Sequence, residues 1–151
     1  MSSVTAKKLK KTLKDGPPAI RQLTDVALRA GKGQIAILIV EDDQDLREAL
    51  ATSLGDEGYQ VISAQDSDEA IASVKAHKVN IVFMDICLPD VNGVEVYKAI
   101  KKIQPAVTTV MITGFFVQDL VDEAISAGAY DILYKPFTVD DILKMINKIT
   151  S

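Results

Sequence analysis

Five short apolar runs, most of them rich in Ile and Val, alternate with stretches whose apolar residues recur at helical spacing. The runs cover 35–40, 59–64, 80–84, 107–112 and 130–134, with few polar residues inside them. Continuous apolar runs of this length suit parallel strands buried on both faces. Between them, Leu46, Leu50 and Leu54 share one helical face. So do Ala70, Ile71 and Val74; Val96, Ile100 and Ile103; Leu120, Val121, Ala124 and Ile125; and Ile142, Met145, Ile146 and Ile149. Gly58 and Gly128 fall where helices should end, and Thr138 with Asp141 reads as a capping pair opening the last helix. Five strand–helix units imply an α/β (βα)5 domain. Right-handed crossovers then favour a doubly wound, three-layer sandwich around a parallel five-stranded sheet.

Four of the runs stop at polar residues suited to phosphate chemistry. The first ends at Glu41, Asp42 and Asp43, and the third at Asp85. The fourth ends at Thr113, and the fifth at Lys135, followed by Pro136 and Phe137. In an open parallel sheet such ends converge on one edge, where these folds place their sites. Two carboxylates about 4 Å apart repel by ~4 kcal/mol at an effective dielectric of about 20. A hard divalent cation offsets that repulsion, and carboxylate plus water ligation suits Mg²⁺. Such a cation would also neutralise an incoming phosphoryl group and leave one carboxylate to attack phosphorus. A lysine and a threonine hydroxyl supply donors to phosphate oxygens. Each position has a plainer reading when taken alone. The three acids could cap a helix, Asp85 and Thr113 could be turn residues, and Lys135 could be a loop end. Four such coincidences on one sheet edge favour an assembled centre.

Composition narrows the function classes. The chain has 151 residues, one cysteine and one histidine. That excludes an internal disulfide framework and any multi-histidine metal site, and fits a reducing cytoplasm. No apolar run approaches the ~18 residues of a spanning helix, so no membrane span is expected. Residues 1–33 hold eight Lys/Arg and two Asp/Glu, net +6, whereas 34–151 hold nine and nineteen, net −10. This asymmetry marks a boundary near Gly31-Lys32-Gly33 between a basic N-terminal extension (1–33) and the main domain (34–151). The extension is read as part helical or disordered. Ile20, Leu23, Ala27 and Ala30 suggest a short helix over 18–30. An acidic domain is a poor binder of nucleic acid, so no direct DNA binding is expected.

The motifs also carry a resemblance. The stretches 37–43 (ILIVEDD), 84–93 (MDICLPDVNG), 111–114 (MITG) and 134–137 (YKPF) resemble the response regulator receiver domain of two-component signalling in order and spacing. The likeness covers about 34–150. It implies a flavodoxin-like sheet of order 2-1-3-4-5. It implies Asp85 as phosphoacceptor, with Mg²⁺ held by Asp42, Glu41, Asp85 and the backbone carbonyl of Cys87. Thr113 matches the switch hydroxyl and Lys135 the phosphate-pairing lysine. The Lys135–Pro136 bond matches one that is usually cis in the family. Glu41 stands where aspartate is commoner, and Ile132 stands where the switch aromatic normally falls. Tyr134 is left as the candidate for part of that packing role. Cys87 and Phe115 match positions that tune the lifetime of the phosphoryl group, and an apolar Phe115 implies slow autodephosphorylation.

The implied function is a phosphorylation-dependent switch in a phosphorelay, not a conventional enzyme. Its donor would be a histidine kinase or histidine phosphotransfer protein. The 118–150 face would contact a downstream protein, with phosphorylation-linked homodimerisation a further expectation; Val117, Leu120 and Val121 are apolar candidates near its start. Two other classes stay open at this point: a phosphorylation-independent receiver-fold scaffold, and a metal-dependent α/β phosphatase. Weaker motifs carry less. Gly31-Lys32-Gly33 lacks the second half of a P-loop and reads as a linker. His77 reads as a solvated polar residue, and Cys87 as a small residue of the acceptor loop.

Overall fold

The computed structural model describes Lys32, residues 34–114 and residues 117–151. The expected helix over 18–30, the rest of the basic extension apart from Lys32, and Phe115 lie outside the described residues. Within them, strands and helices alternate as β1 Ala36–Val40, α1 Gln44–Asp56, β2 Gln60–Ala64, α2 Ser67–Ala76, β3 Ile81–Asp85, α3 Gly93–Ile103, β4 Thr108–Thr113, α4 Gln118–Ser126, β5 Asp131–Tyr134 and α5 Val139–Thr150. The strands form one sheet of order β2-β1-β3-β4-β5, and every pairing is parallel. This is the expected fold.

Side chains alternate across a strand, so each uniformly apolar run feeds two cores. Leu38, Val40, Val82, Met84 and Met111 pack with residues of α2, α3 and α4, including Ala70, Tyr97, Ile100 and Ala124. Ile37, Ile39, Ile81, Phe83, Val110 and Ile112 pack on the other face with Leu50 and Leu54 of α1 and Ile142 and Ile146 of α5. All five residues of β1 and of β3 are buried. That accounts for the lack of polar alternation in their sequences.

Helix ends follow local chemistry. Asp43, Asp66, Asn92 and Thr138 cap α1, α2, α3 and α5 by accepting a backbone N–H from the first turn, which satisfies one otherwise orphaned donor each. Thr138 and Asp141 form the reciprocal capping box expected from sequence. Gly58 and Gly128 both adopt positive φ, 99° and 105°, just past α1 and α4, the backbone region that favours glycine at helix exits.

Three expectations need correction. β3 and β4 each run one residue further than the apolar runs, so Asp85 and Thr113 are the last residues of their strands. Their polarity ends the apolar pattern, but their backbones stay in the ladder, with Asp85 opposite Ile112 and Thr113 opposite Tyr134. Ile103 and Ile125, assigned to inward helix faces, are 37% and 48% exposed. Both lie in the last turn of their helices. Tyr134, the candidate for an aromatic packing role, is 53% exposed. Its neighbour on the same strand face, Ile132, packs on the core in its place.

Candidate functional site

The C-terminal ends of β1, β3, β4 and β5 bring the expected residues to one edge of the sheet. Glu41 follows β1 and is 2% exposed, while Asp85 and Thr113 close β3 and β4 at 4% and 0%. Lys135 follows β5, and its backbone N–H donates to the Thr113 carbonyl over 2.8 Å. The Lys135–Pro136 peptide is cis. Lys135 crosses the edge with its side chain: Nζ lies 2.6 Å from Glu41 Oε1 and 2.9 Å from Asp85 Oδ2. One ammonium thus bridges two buried carboxylates from different strands.

The three acids after β1 divide between structure and chemistry. Asp43 is spent as the α1 cap, its Oδ1 accepting the Leu46 N–H over 3.1 Å. Glu41 and Asp42 turn to the sheet edge, where they and Asp85 each offer an oxygen within 4.8 Å of the others. Arg47, one helical turn on, donates from Nη1 to the Glu41 carbonyl over 2.8 Å and braces this turn. Its role went unread in the sequence, although its position one turn past the cap is the signal that marks it.

Burial pushes the Glu41 carboxyl up to about 8, helped by the neighbouring Asp85 carboxyl and opposed by Lys135. Burial also pulls the Lys135 ammonium down, but hydrogen bonds and charges from Glu41 and Asp85 outweigh it, and the net shift is upward. The lysine therefore stays charged. Burial first, then the Asp85 charge, raises the Cys87 thiol. That thiol is a poor nucleophile, which weighs against a redox role. The Cys87 backbone is more informative: its N–H donates to Asp85 Oδ1 over 2.9 Å and so orients the carboxylate.

A hard cation fits this set of groups. Glu41 Oε2 is buried with no hydrogen-bond partner among the described residues. Leaving such an oxygen unpaired is costly. Three convergent carboxylates with one exposed member, Asp42, offer oxygen ligands and an open side for water, the combination Mg²⁺ prefers. Glu41, Asp42 and Asp85 would hold it.

Two further features frame the edge. A cleft of about 410 Å³ beside Lys135 is lined by Asp43, Leu46, Pro136 and Phe137. Among the described residues, the large apolar side chains exposed around α4 and β5 are Ile125, Tyr130 and Tyr134. Val121, by contrast, is 7% exposed, and Val117 and Leu120 pack against the core. Of the three apolar candidates, Val121 is thus buried, while Val117 and Leu120 are half-buried and line a shallow cleft at the start of α4. His77 is exposed at the end of α2. No described helix is long and apolar enough to cross a membrane.

Comparison with known proteins agrees with this architecture. Residues 37–147 match the family model for the response regulator receiver domain. The chemotaxis protein CheY of Bacillus subtilis is 35% identical over 113 residues, covering 74% of this chain and 94% of CheY. The nitrogen assimilation regulatory protein NtrX of Azorhizobium caulinodans is 39% identical over 109 residues, 71% of this chain but 24% of NtrX. This chain thus spans nearly all of the one relative and about a quarter of the other. Among solved structures, a CheY-like receiver domain protein from Methanospirillum hungatei JF-1 superposes with TM-score 0.74 at 31% identity, covering 77% of this chain and 94% of that one.

Proposed function

This chain belongs to the response regulator receiver domain family of two-component signalling, and from that premise we propose that it is a switch driven by phosphorylation of Asp85. The observation that carries the reading is the Lys135 ammonium seated within 2.9 Å of both Glu41 and Asp85. A buried lysine between two carboxylates is already positioned for a third anion. In the proposed step an Asp85 carboxylate oxygen attacks the phosphorus of a phosphohistidine. The new O–P bond forms as the N–P bond breaks, and the imidazole leaves with the electron pair. Bound Mg²⁺ would supply positive charge to the transferring oxygens. Lys135 then exchanges its contact with the free carboxylate for one with the phosphoryl oxygens. The Cys87 N–H holds Asp85 in place, and the Cys87 carbonyl is assigned to the metal's ligand set.

The donor is a histidine kinase or a histidine phosphotransfer protein. The cleft lined by Leu46, Pro136 and Phe137 gives it an apolar foothold beside Lys135. Thr113 ends the strand paired to β5. A shift of its hydroxyl toward the phosphoryl group would bias α4, β5 and α5, the face bearing Ile125, Tyr130 and Tyr134. A downstream protein or a second copy would read that face.

Asp85→Asn tests the assignment. The variant keeps the side-chain shape and one acceptor. It should fold, bind Mg²⁺ measurably and take up no label from acetyl phosphate, while the parent chain acquires a base-labile label. A base-labile label of equal yield on Asp85→Asn would refute the proposal.

A further inference from the structure

The acidic charge of the domain is concentrated between the end of β1 and the start of α2. Residues 41–69 hold ten Asp/Glu against Arg47, net −9, whereas residues 70–151 hold nine against eight Lys/Arg, net −1. Four of these acids, Asp45, Glu48, Asp56 and Glu57, are exposed on or beside α1, whereas Asp68 and Glu69 open α2 on the opposite face of the sheet. Arg47 does little to balance them, because its guanidinium is engaged with the Glu41 and Asp42 carbonyls.

The complementary charge lies in the same chain. Residues 1–31 carry seven Lys/Arg and two Asp/Glu, net +5. The residue that follows them is already on the acidic flank. Lys32 Nζ lies 3.6 Å from Glu57 Oε2 and 5.5 Å over the centroid of the Tyr59 ring. The Lys32 carbonyl accepts the Ile35 N–H over 2.9 Å, which ties this contact to the root of β1. A single exposed ion pair of this kind stabilises little. A tethered segment with seven cations opposite four exposed carboxylates is different, because the summed field acts at the high effective concentration set by a short tether. Reach is no obstacle. α1, at 13 residues, is about 20 Å long, well within the span of 31 residues.

We propose that residues 1–31 dock in cis along the acidic α1–β2 flank, extending the Lys32 contact with Glu57 and Tyr59. The contact is electrostatic and runs from Glu57 toward the Gln44 end of α1, beside Glu41 and Asp42. It does not depend on phosphorylation of Asp85.

Zero-length carbodiimide cross-linking of the full chain, mapped by mass spectrometry, tests this. A mixture of ¹⁵N-labelled and unlabelled protein separates links within one chain from links between chains. Links from Lys7, Lys8, Lys10, Lys11 and Lys14 should fall on Asp45, Glu48, Asp56 and Glu57, within one isotope population. Their yield should drop by about tenfold at ~1 M salt. It should drop similarly in a variant carrying Asp45→Asn, Glu48→Gln and Asp56→Asn, checked for folding by circular dichroism. Equal yields on Asp119, Asp122 and Asp140 would overturn the proposal. So would links of mixed isotope only, which would place the segment on a second copy.

Discussion

A methyl group on Gly93 would fall 2.1 Å from the backbone carbonyl oxygen of Asp85. No side chain can be accommodated there, because the obstacle is the backbone of the acceptor strand. The Gly93 N–H also donates to the Ile86 carbonyl over 2.6 Å, so the first turn of α3 is laid directly on the end of β3. Gly93→Ala should therefore shift the acceptor loop or the helix. A loss of about 1–3 kcal/mol is expected, as for other overpacked sites, read as a lower urea midpoint. Labelling by acetyl phosphate should slow even where the variant is fully folded. An unchanged midpoint would mean that the close approach is not maintained in solution.

Glu41 gives the fold a pH dependence of defined sign. Its carboxyl stands at about 8 against an ordinary 4.5. Between those values the folded chain holds a proton that the unfolded chain has lost, so stability falls as pH rises through that window. Lys135, shifted upward, contributes its change only above the window. In metal-free buffer, stability at about pH 8.5 should be lower than at about pH 5.5 by on the order of 1–3 kcal/mol. Glu41→Gln should flatten the slope. Mg²⁺ should restore stability at the higher pH, by ~2.7 kcal/mol at a hundredfold excess over its Kd. Urea titrations with and without chelator measure all three, and a rising slope in the metal-free parent would contradict the burial of this group.

The fold was legible in the sequence because strand and helix periods alternate cleanly and the helix exits carry Gly58 and Gly128. The site was legible because each strand end changes from apolar to polar. What stayed hidden depends on relations between elements. Nothing in the sequence around Gly93 says that α3 sits on the Asp85 carbonyl. Asp43 could not be separated from Glu41 and Asp42 until α1 was seen to begin at Gln44. The exposure of Ile125 and Ile103 depends on what the last turns of their helices meet in the fold, which helical spacing does not encode. Tyr134 faces the same side as Ile132, but it lies past the last core residue of that side.

Thr109 is a buried hydroxyl at odds with its surroundings. It is 2% exposed on β4, and Oγ1 has no hydrogen-bond partner among the described residues. Burying an unpaired hydroxyl costs about 1–3 kcal/mol, which a methyl of similar size would avoid. Thr109→Val should raise stability by about 1 kcal/mol and leave Asp85 labelling unchanged. A destabilised variant would mean that the hydroxyl has a partner in solution, such as ordered water.

The two ends of α4 are secured unequally. Its first residue follows Val117, which provides no side-chain cap, unlike the starts of α1, α2, α3 and α5. Its exit is gripped by α3. The Tyr97 hydroxyl and the Lys101 ammonium both donate to the Ala127 carbonyl, over 3.2 and 2.8 Å, and Lys98 Nζ lies 2.5 Å from Glu123 Oε1. Cations at a helix C-terminus also oppose its partial negative charge. α4 should therefore move about its Ala127 end, its start lacking a side-chain cap. Tyr97→Phe and Lys101→Ala should each cost about 1 kcal/mol and speed amide exchange at Ala127, Gly128 and Ala129, while α1 and α2 stay protected. Because either donor alone still pairs the Ala127 carbonyl, the double variant should lose more than the sum of the two, by about 0.5 kcal/mol or more. Strict additivity, with exchange at the α4 exit unaltered, would show that the two contacts do not hold this end of the helix.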